Sequence, residues 1–188
     1  MYVKTSIPKS SEGAGVAVPK DPNVIVMLAK DITAEPTREH GSVVLSGNYT
    51  LANGAKAIGI YLTPGTIDVG FDTEGDVDAK GFKQKVAGSH PGNDTPLQNF
   101  IEGTINEGVV ILVKDCNGGS GEVKAYGSKC NPLFLSPEST DNKEANRTQL
   151  SWQQDVAQAF LPGIYTGTMP DLADDPEDAD GSGSGDGA

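Results

Sequence analysis

The sequence predicts a mainly β protein, a β-sandwich or barrel flanked by one α-helix. Its 24 glycines and 12 prolines indicate many turns between short elements. Residues 95–106 carry one apolar stripe at helical spacing. The continuous β-branched run at 109–113, Val-Val-Ile-Leu-Val, comes directly after it and is typical of a strand buried on both faces. A helix packed over such a sheet would bury the apolar surface of both elements.

The predicted helix has recognisable start and stop signals. Thr95 suits the N-cap, Pro96 suits the first helical position, and Gln98 stands three residues after the cap, as in a capping box. Gly108 breaks the pattern. The stripe itself consists of Leu97, Phe100, Ile101 and Ile105.

A β-hairpin is predicted after the helix. Residues 117–121, Asn-Gly-Gly-Ser-Gly, supply a turn, and residues 122–126 alternate polar and apolar like a returning strand. Cys116 would then lie at the tip of this hairpin and Cys130 about ten strand residues away, or roughly 33 Å, too far for a disulfide. Two free thiols are therefore expected, and neither has the spacing of a metal site.

Other apolar runs predict the remaining strands. Pro64 and Gly65 form a strong turn signal, so residues 57–71 are interpreted as a second hairpin. Trp152 and Phe160 are expected in the core. The polar segments 72–94 and 136–147 are predicted to be loops. The further predicted strands are 24–28, 43–45, 57–62, 66–71, 133–135, the segment around Leu150 and Trp152, and a last short one at Ile164 and Tyr165.

The length of 188 residues predicts one domain with tails. Residues 1–22 are expected to be an irregular basic N-terminal arm, 23–170 a β-rich domain, and 171–188 an acidic, Gly/Ser-rich disordered tail. The tail holds seven of the 26 acids, so the rest of the chain is only mildly acidic despite a net charge of -12. Without clustered Lys and Arg, no groove for nucleic acid phosphates is expected. The apolar runs are too short for a membrane span or a signal peptide, which predicts a cytosolic origin.

The acidic run 72–78 does not match a calcium loop. Aligned to an EF-hand from Asp76, its fifth position is Lys80 and its twelfth is Ala87, where ligands are required. A solvated acidic loop is the preferred interpretation. The carboxylates concerned are Asp72, Glu74, Asp76 and Asp78.

No catalytic constellation is visible either. His40 and His90 lie in Gly- or Pro-containing segments without a nucleophile or metal motif, and are interpreted as surface loop residues. No catalytic, cofactor-binding or metal site is predicted. A structural or binding role is favoured over an enzyme.

This pattern resembles the major tail tube proteins of long-tailed bacteriophages. The features that carry the resemblance are the arm at 1–22, the capped helix at 95–106, the Gly-tipped hairpin at 109–127 and the long loop at 72–94. The resemblance implies a virion protein, made in the host cytoplasm, whose hexameric rings stack into the tail tube through which DNA leaves the capsid. Its partners would be copies of itself, the tape measure and the tail terminator, with no cofactor and no membrane.

The resemblance also implies how the tube would work. Neighbouring subunits would complete one inner barrel, the arm and the long loop would contact the next ring, and a mildly acidic lumen would let DNA pass without specific binding. Three alternatives stay open: a phage capsid decoration or head-completion protein, a carbohydrate-binding β-sandwich, and, least favoured, an enzyme.

Overall fold

The structure, a computed structural model, describes residues 4–9, 15–39, 41–116 and 121–174. His40, the turn at 117–120 and the tail beyond residue 174 lie outside the described residues, so the predictions for them stay untested. The strands are β1 (Asn23–Leu28), β2 (Ile32–Ala34), β3 (Thr37–Arg38), β4 (Val44–Ser46), β5 (Thr50–Leu51), β6 (Ile58–Tyr61), β7 (Asp68–Glu74), β8 (Gly81–Pro91), β9 (Val109–Lys114), β10 (Val123–Tyr126), β11 (Leu133–Asp141), β12 (Asn146–Gln154) and β13 (Gly163–Tyr165). A 3-10 turn spans Ala29–Asp31 and helix α1 spans Thr95–Thr104.

The predicted fold class is confirmed: the protein is mainly β, with a large mixed sheet and one helix among the described residues. Eleven strands form this sheet, in the order β3-β4-β13-β10-β9-β11-β12-β8-β7, with β1 and β6 joined to the free side of β9. The only pairing of β11 with β9 is Leu133 opposite Val109. The sheet therefore has two parts, which we call the seven-strand half (β6, β1, β9, β10, β13, β4, β3) and the four-strand half (β11, β12, β8, β7).

The core lies on both faces of β9, as the apolar run at 109–113 predicted. Val109, Ile111 and Val113 face a first cluster that also holds Trp152 and Val86 from the four-strand half. Because this cluster takes residues from both halves, the two halves pack face to face as a sandwich. On the opposite face, a second cluster lies beneath the small β2–β5 sheet; its buried residues are Met27, Ile32, Tyr49, Ala57, Val110, Leu112, Ala125 and Tyr165.

Helix α1 forms where the apolar stripe predicted it, but the predicted cap is wrong. Asp94 is the N-cap, and its Oδ1 accepts a hydrogen bond from the backbone N–H of Leu97 at 3.2 Å. The Gln98 side chain donates to the carbonyl of Asn93 and does not form a capping box with Thr95. A carboxylate directly before the first turn is favoured there because it also complements the helix dipole. The helix stripe packs against the first cluster through Leu97, Phe100 and Ile101, while Ile105 lies beyond the helix end.

The predicted loop at 72–94 is wrong, because most of it is strand. β7 continues to Glu74, and β8 runs for 11 residues between β7 and β12. The residues of β8 that face the core include Gln84, Val86 and Gly88. Polar and small residues thus occupy core-facing positions, so the apolar alternation typical of a strand is missing. The predicted hairpin at 57–71 is also wrong: β6 pairs with β1, and β7 pairs with β8. The turn at residues 64 and 65 leads from one half of the sandwich to the other.

The predicted loop at 136–147 is wrong for a similar reason. β11 and β12 pair over nine residues as a hairpin whose turn is closed by Asn142; the Oδ1 of Asn142 accepts the N–H groups of Glu144 and Ala145. The placement of Trp152 in the core is confirmed at 0% exposure. Phe160 is not in the core but 59% exposed, with the Arg38 guanidinium over its ring.

Both ends of the described chain contact the sandwich. Near the N-terminus, the Pro19 carbonyl accepts from the N–H of Cys116, and the Lys20 ammonium binds the Asp115 carboxylate at 2.5 Å. Near the C-terminus, residues 171–174, which the composition placed in a disordered tail, pair with Ala57 through backbone hydrogen bonds. Both thiols are exposed and neither forms a disulfide.

Gly88 in β8 should tolerate no side chain. A Cβ there would lie 2.6 Å from Cδ1 of the buried Leu62, so we expect Gly88→Ala to lower the free energy of unfolding by about 1–3 kcal/mol. The matched control is Gly103→Ala on α1, where a Cβ would meet nothing within 4 Å and should stabilise the helix by up to about 1 kcal/mol. Urea unfolding followed by Trp152 fluorescence measures both changes, and equal values for the two variants would contradict this packing.

Candidate assembly surface

The residues weighed as a metal or catalytic site do not come together. Asp72 and Glu74 lie on β7, where they bind the ammonium groups of Lys85 and Lys83 at 3.2 and 3.4 Å. Asp76 and Asp78 are exposed in the turn that leads to β8. Within the described ranges, no group of three or more His, Cys, Asp and Glu side chains could hold a metal ion. The prediction that His90 lies in a surface loop is wrong, because His90 is half-buried near the end of β8.

The outward face of the four-strand half is polar. Strand alternation turns Val69, Val86, Trp152 and Leu135 towards the core, so their chain neighbours point away from it. The charged residues on this outward face are Asp68, Asp72, Glu74, Glu138, Lys83, Lys85 and Arg147. The face is thus close to neutral, with one more carboxylate than cations. Nothing in it resembles a basic groove for nucleic acid.

One open edge of the sheet belongs to β7. At Ser89 in β8, the N–H donates to Thr66 and the carbonyl accepts from Thr63, so the odd-numbered residues of β8 direct their backbone groups towards the β7 side. In an antiparallel ladder, opposite residues exchange both hydrogen bonds or neither. The even-numbered residues of β7 are therefore bonded to β8, and Val69, Phe71 and Thr73 present their backbone groups on the open side.

The other open edge belongs to β11. Phe82 exchanges two backbone hydrogen bonds with Gln158 on the opposite side of β8, which confirms the alternation along that strand. The registers of β8 with β12 and of β12 with β11 extend this alternation to β11. The backbone N–H and C=O groups of the odd-numbered residues of β11 therefore point away from β12. Leu133 uses this side to pair with Val109. Pro137 has no N–H and lies on this side, as a proline in an edge strand must. The open stretch of β11 is residues 135–141.

The two open edges are complementary in direction. Each neighbouring pair in the order β11-β12-β8-β7 is antiparallel, so β7 and β11 run in opposite directions. The β7 edge of one copy can therefore extend antiparallel along the β11 edge of another. Long open edges are sites of association unless they are covered. A contact between two different edges is heterologous and closes into a ring when its rotation allows.

A cleft of about 1010 Å³ opens beside β7, and residues of β10, β13 and Val43 just before β4 form part of its lining. Its apolar wall includes Val18, Val43, Phe71, Leu161 and Ile164, and Asp68 lies at its rim. Burial raises the pKa of Tyr126 in the wall, and the nearby carboxylates of Asp115 and Glu122 raise it further, so its phenol stays neutral. The cleft is an apolar surface that no described segment of the chain covers.

Comparison with protein families, curated proteins and solved structures finds no match for this chain. None of the helical segments in the described part of the chain has the length and apolar character needed to cross a bilayer. The features of the described chain that bear on function are the two edges, the polar face and the cleft. Of these features, only Pro137 could have been found in the sequence, as a proline inside an otherwise regular strand.

Proposed function

We propose that this protein is a structural virion protein that closes into hexameric rings, which stack as a phage tail tube and form the conduit for DNA ejection. The observation that supports this most is the four-strand half, with two open edges of opposite direction and a polar outward face. The hexamer, the DNA and the partner proteins come from the resemblance in sequence pattern. The open edges are compatible with ring closure but do not determine the number of copies.

Ring closure would pair residues 69–73 of one copy with residues 135–141 of the next. Every copy then adds four antiparallel strands to one continuous inner wall, and both open edges of the four-strand half are covered. Six copies would give a barrel of 24 strands, about 45–50 Å across at the backbone for the usual strand spacing and tilt. Such a channel is wide enough for a DNA duplex.

The polar outward face would line this channel. Its lysines Lys83 and Lys85 are held by Glu74 and Asp72, so the wall has little positive charge to offer a phosphate. DNA binding depends on cations that replace its counterions, and a wall on which Arg147 is the one described cation without a carboxylate partner holds the duplex only weakly. The turn at 75–80 and the N-terminal arm are the segments we assign to contacts between rings.

Removing the two carboxylates should make the protein bind DNA. In Asp72→Asn/Glu74→Gln, the ammonium groups of Lys83 and Lys85 lose their partners, and we expect salt-sensitive binding of a fluorescent DNA duplex that the unmodified protein does not show at 150 mM salt. Asp76→Asn/Asp78→Asn is the matched control, because it changes the net charge equally but in the turn. Fluorescence anisotropy at several salt concentrations measures the difference. Equal binding by both variants would contradict the special role of this face.

Sedimentation velocity over a range of concentrations tests the proposed assembly. We expect a monomer of 19.5 kDa to give way to a species about six times heavier and then to larger polymers. A monomer at every concentration would contradict self-assembly. The protein would then be tested for binding to phage capsids, as a decoration or head-completion protein requires.

A further inference from the structure

We infer that the cleft beside β7 binds the N-terminal segment 4–9 of a second copy of this chain. The inference rests on the proposed self-assembly but not on the ring, the tube or the passage of DNA. It concerns a contact separate from edge pairing, since the cleft is lined by side chains of β7, with Phe71 in its wall and Asp68 at its rim, whereas ring closure would use the backbone of its open edge.

The cleft has the character of a peptide groove. Side chains that would be expected in a core are exposed along it, with Val43, Phe71 and Val18 at 42%, 44% and 41%. These side chains lie at the open side of the sandwich, in the same cleft as Ile164 of β13. Apolar side chains exposed together in this way mark a surface for association.

The segment 4–9, Lys-Thr-Ser-Ile-Pro-Lys, has the matching apolar character. All six residues are exposed, and Ile7 is 88% exposed, more than any other large apolar side chain in the described chain. Pro8 holds the preceding Ile7 in an extended conformation, so less conformational entropy is lost when the segment binds in a groove.

The charges of the segment and the cleft are complementary. The segment has Lys4 and Lys9 and no acid. Both lysines of the cleft already bind carboxylates: Lys20 binds Asp115 and Lys124 binds Glu122. The carboxylate of Asp68 at the rim forms no ion pair with any described residue. It is therefore the group available to a lysine of the incoming segment.

A second copy suits this cleft better than the chain's own segment. Residues 17–20 already form part of the wall and are anchored to the end of β9 through Lys20. None of residues 4–9 of the same copy lines the cleft, and all six are exposed. The cleft is therefore available to the segment of another copy.

Cysteine cross-linking between full-length chains tests the inference. In a Cys116→Ser/Cys130→Ser background, one chain carries Ile7→Cys and the other Val43→Cys, and the mixture is oxidised. We expect a disulfide-linked heterodimer of the two chains, and a ladder of higher species from the chain that carries both new cysteines. Asn53→Cys, in an exposed turn outside the cleft, replaces Val43→Cys in the control and should give no heterodimer.

Charge reversal provides the second measurement. We expect Asp68→Lys to lower the dimer yield at least threefold, and Lys4→Glu/Lys9→Glu in the partner chain to restore it. A double-cysteine chain that closes only within itself, or a dimer yield equal to that of the Asn53→Cys control, would overturn the inference. Rings seen without this cross-link would leave the proposed function standing, whereas a lack of any association in sedimentation would count against the proposed function itself.

Discussion

Ser139→Pro is expected to abolish ring formation while the subunit stays folded. The backbone N–H of Ser139 points away from β12, so its loss does not break the β11–β12 ladder. Proline also suits the local backbone, because Ser139 and the residue before it are both extended. In a ring, however, the proline ring would remove a donor and meet the β7 edge of the neighbour at every contact.

The expected size of this effect is large. If each blocked contact costs about 3 kcal/mol, the concentration needed for assembly rises by more than about 100-fold. The free energy of unfolding of the monomer should change by no more than about 1 kcal/mol, because the buried Thr148 hydroxyl loses the Ser139 hydroxyl as a partner but keeps the Gly92 carbonyl as an acceptor. Sedimentation velocity measures the assembly and urea unfolding measures the stability of the subunit.

Thr140→Pro is the matched control for this experiment. Thr140 lies opposite Arg147, and its backbone groups face β12, so proline there removes a hydrogen bond within the subunit. We expect this variant to lose more than about 1 kcal/mol of stability. Normal assembly of Ser139→Pro would show that the β11 edge is not the contact.

Gln84→Ala is expected to cause the largest loss of stability among the polar residues of the core. The side chain is 2% exposed and joins two segments: its Oε1 accepts from the N–H of Gly127 at 2.8 Å, and its Nε2 donates to the carbonyl of Phe160 at 3.2 Å. The adjoining Gln154 accepts from the Gln84 N–H and donates to Asn131. Truncation would leave a cavity and the half-buried Gly127 N–H without its partner, while the Phe160 carbonyl would keep only the longer hydrogen bond from the Gln158 side chain, at a cost of about 2–4 kcal/mol.

Urea unfolding followed by fluorescence checks this value. Trp152 is the single tryptophan and is fully buried, so its emission reports the opening of the sandwich. Gln153→Ala is the control, since Gln153 is the exposed neighbour of Gln154 on β12 and its loss should cost less than about 0.5 kcal/mol. If Gln84→Ala cost no more than this control, Gln84 would not hold the chain segments around residues 127 and 160 in place.

The seven-strand half was largely predictable from the sequence, and the four-strand half was not. The runs at 24–28 and 109–113 are continuous and apolar because both of their faces are buried, and such runs are easily recognised. In the four-strand half, Gln84, Thr148 and Gln154 occupy buried positions. Hydrogen bonds to distant segments satisfy them, and those partners are not visible in a local pattern.

The open edges could not be predicted for a different reason. Whether a strand lies at the margin of a sheet depends on which strands pair, and the expected pairing of 57–62 with 66–71 does not occur. The alternation of apolar and polar residues predicts a strand as far as Phe71, whereas the polar sequence of its partner β8 predicts a loop. Only Pro137 marks an edge position locally.

Electron microscopy of the concentrated protein after negative staining shows directly whether the protein assembles into rings. We expect uniform rings or hollow tubes, with an inner wall wide enough to pass a DNA duplex. Particles that stay at the size of the 19.5 kDa monomer at every concentration would contradict it.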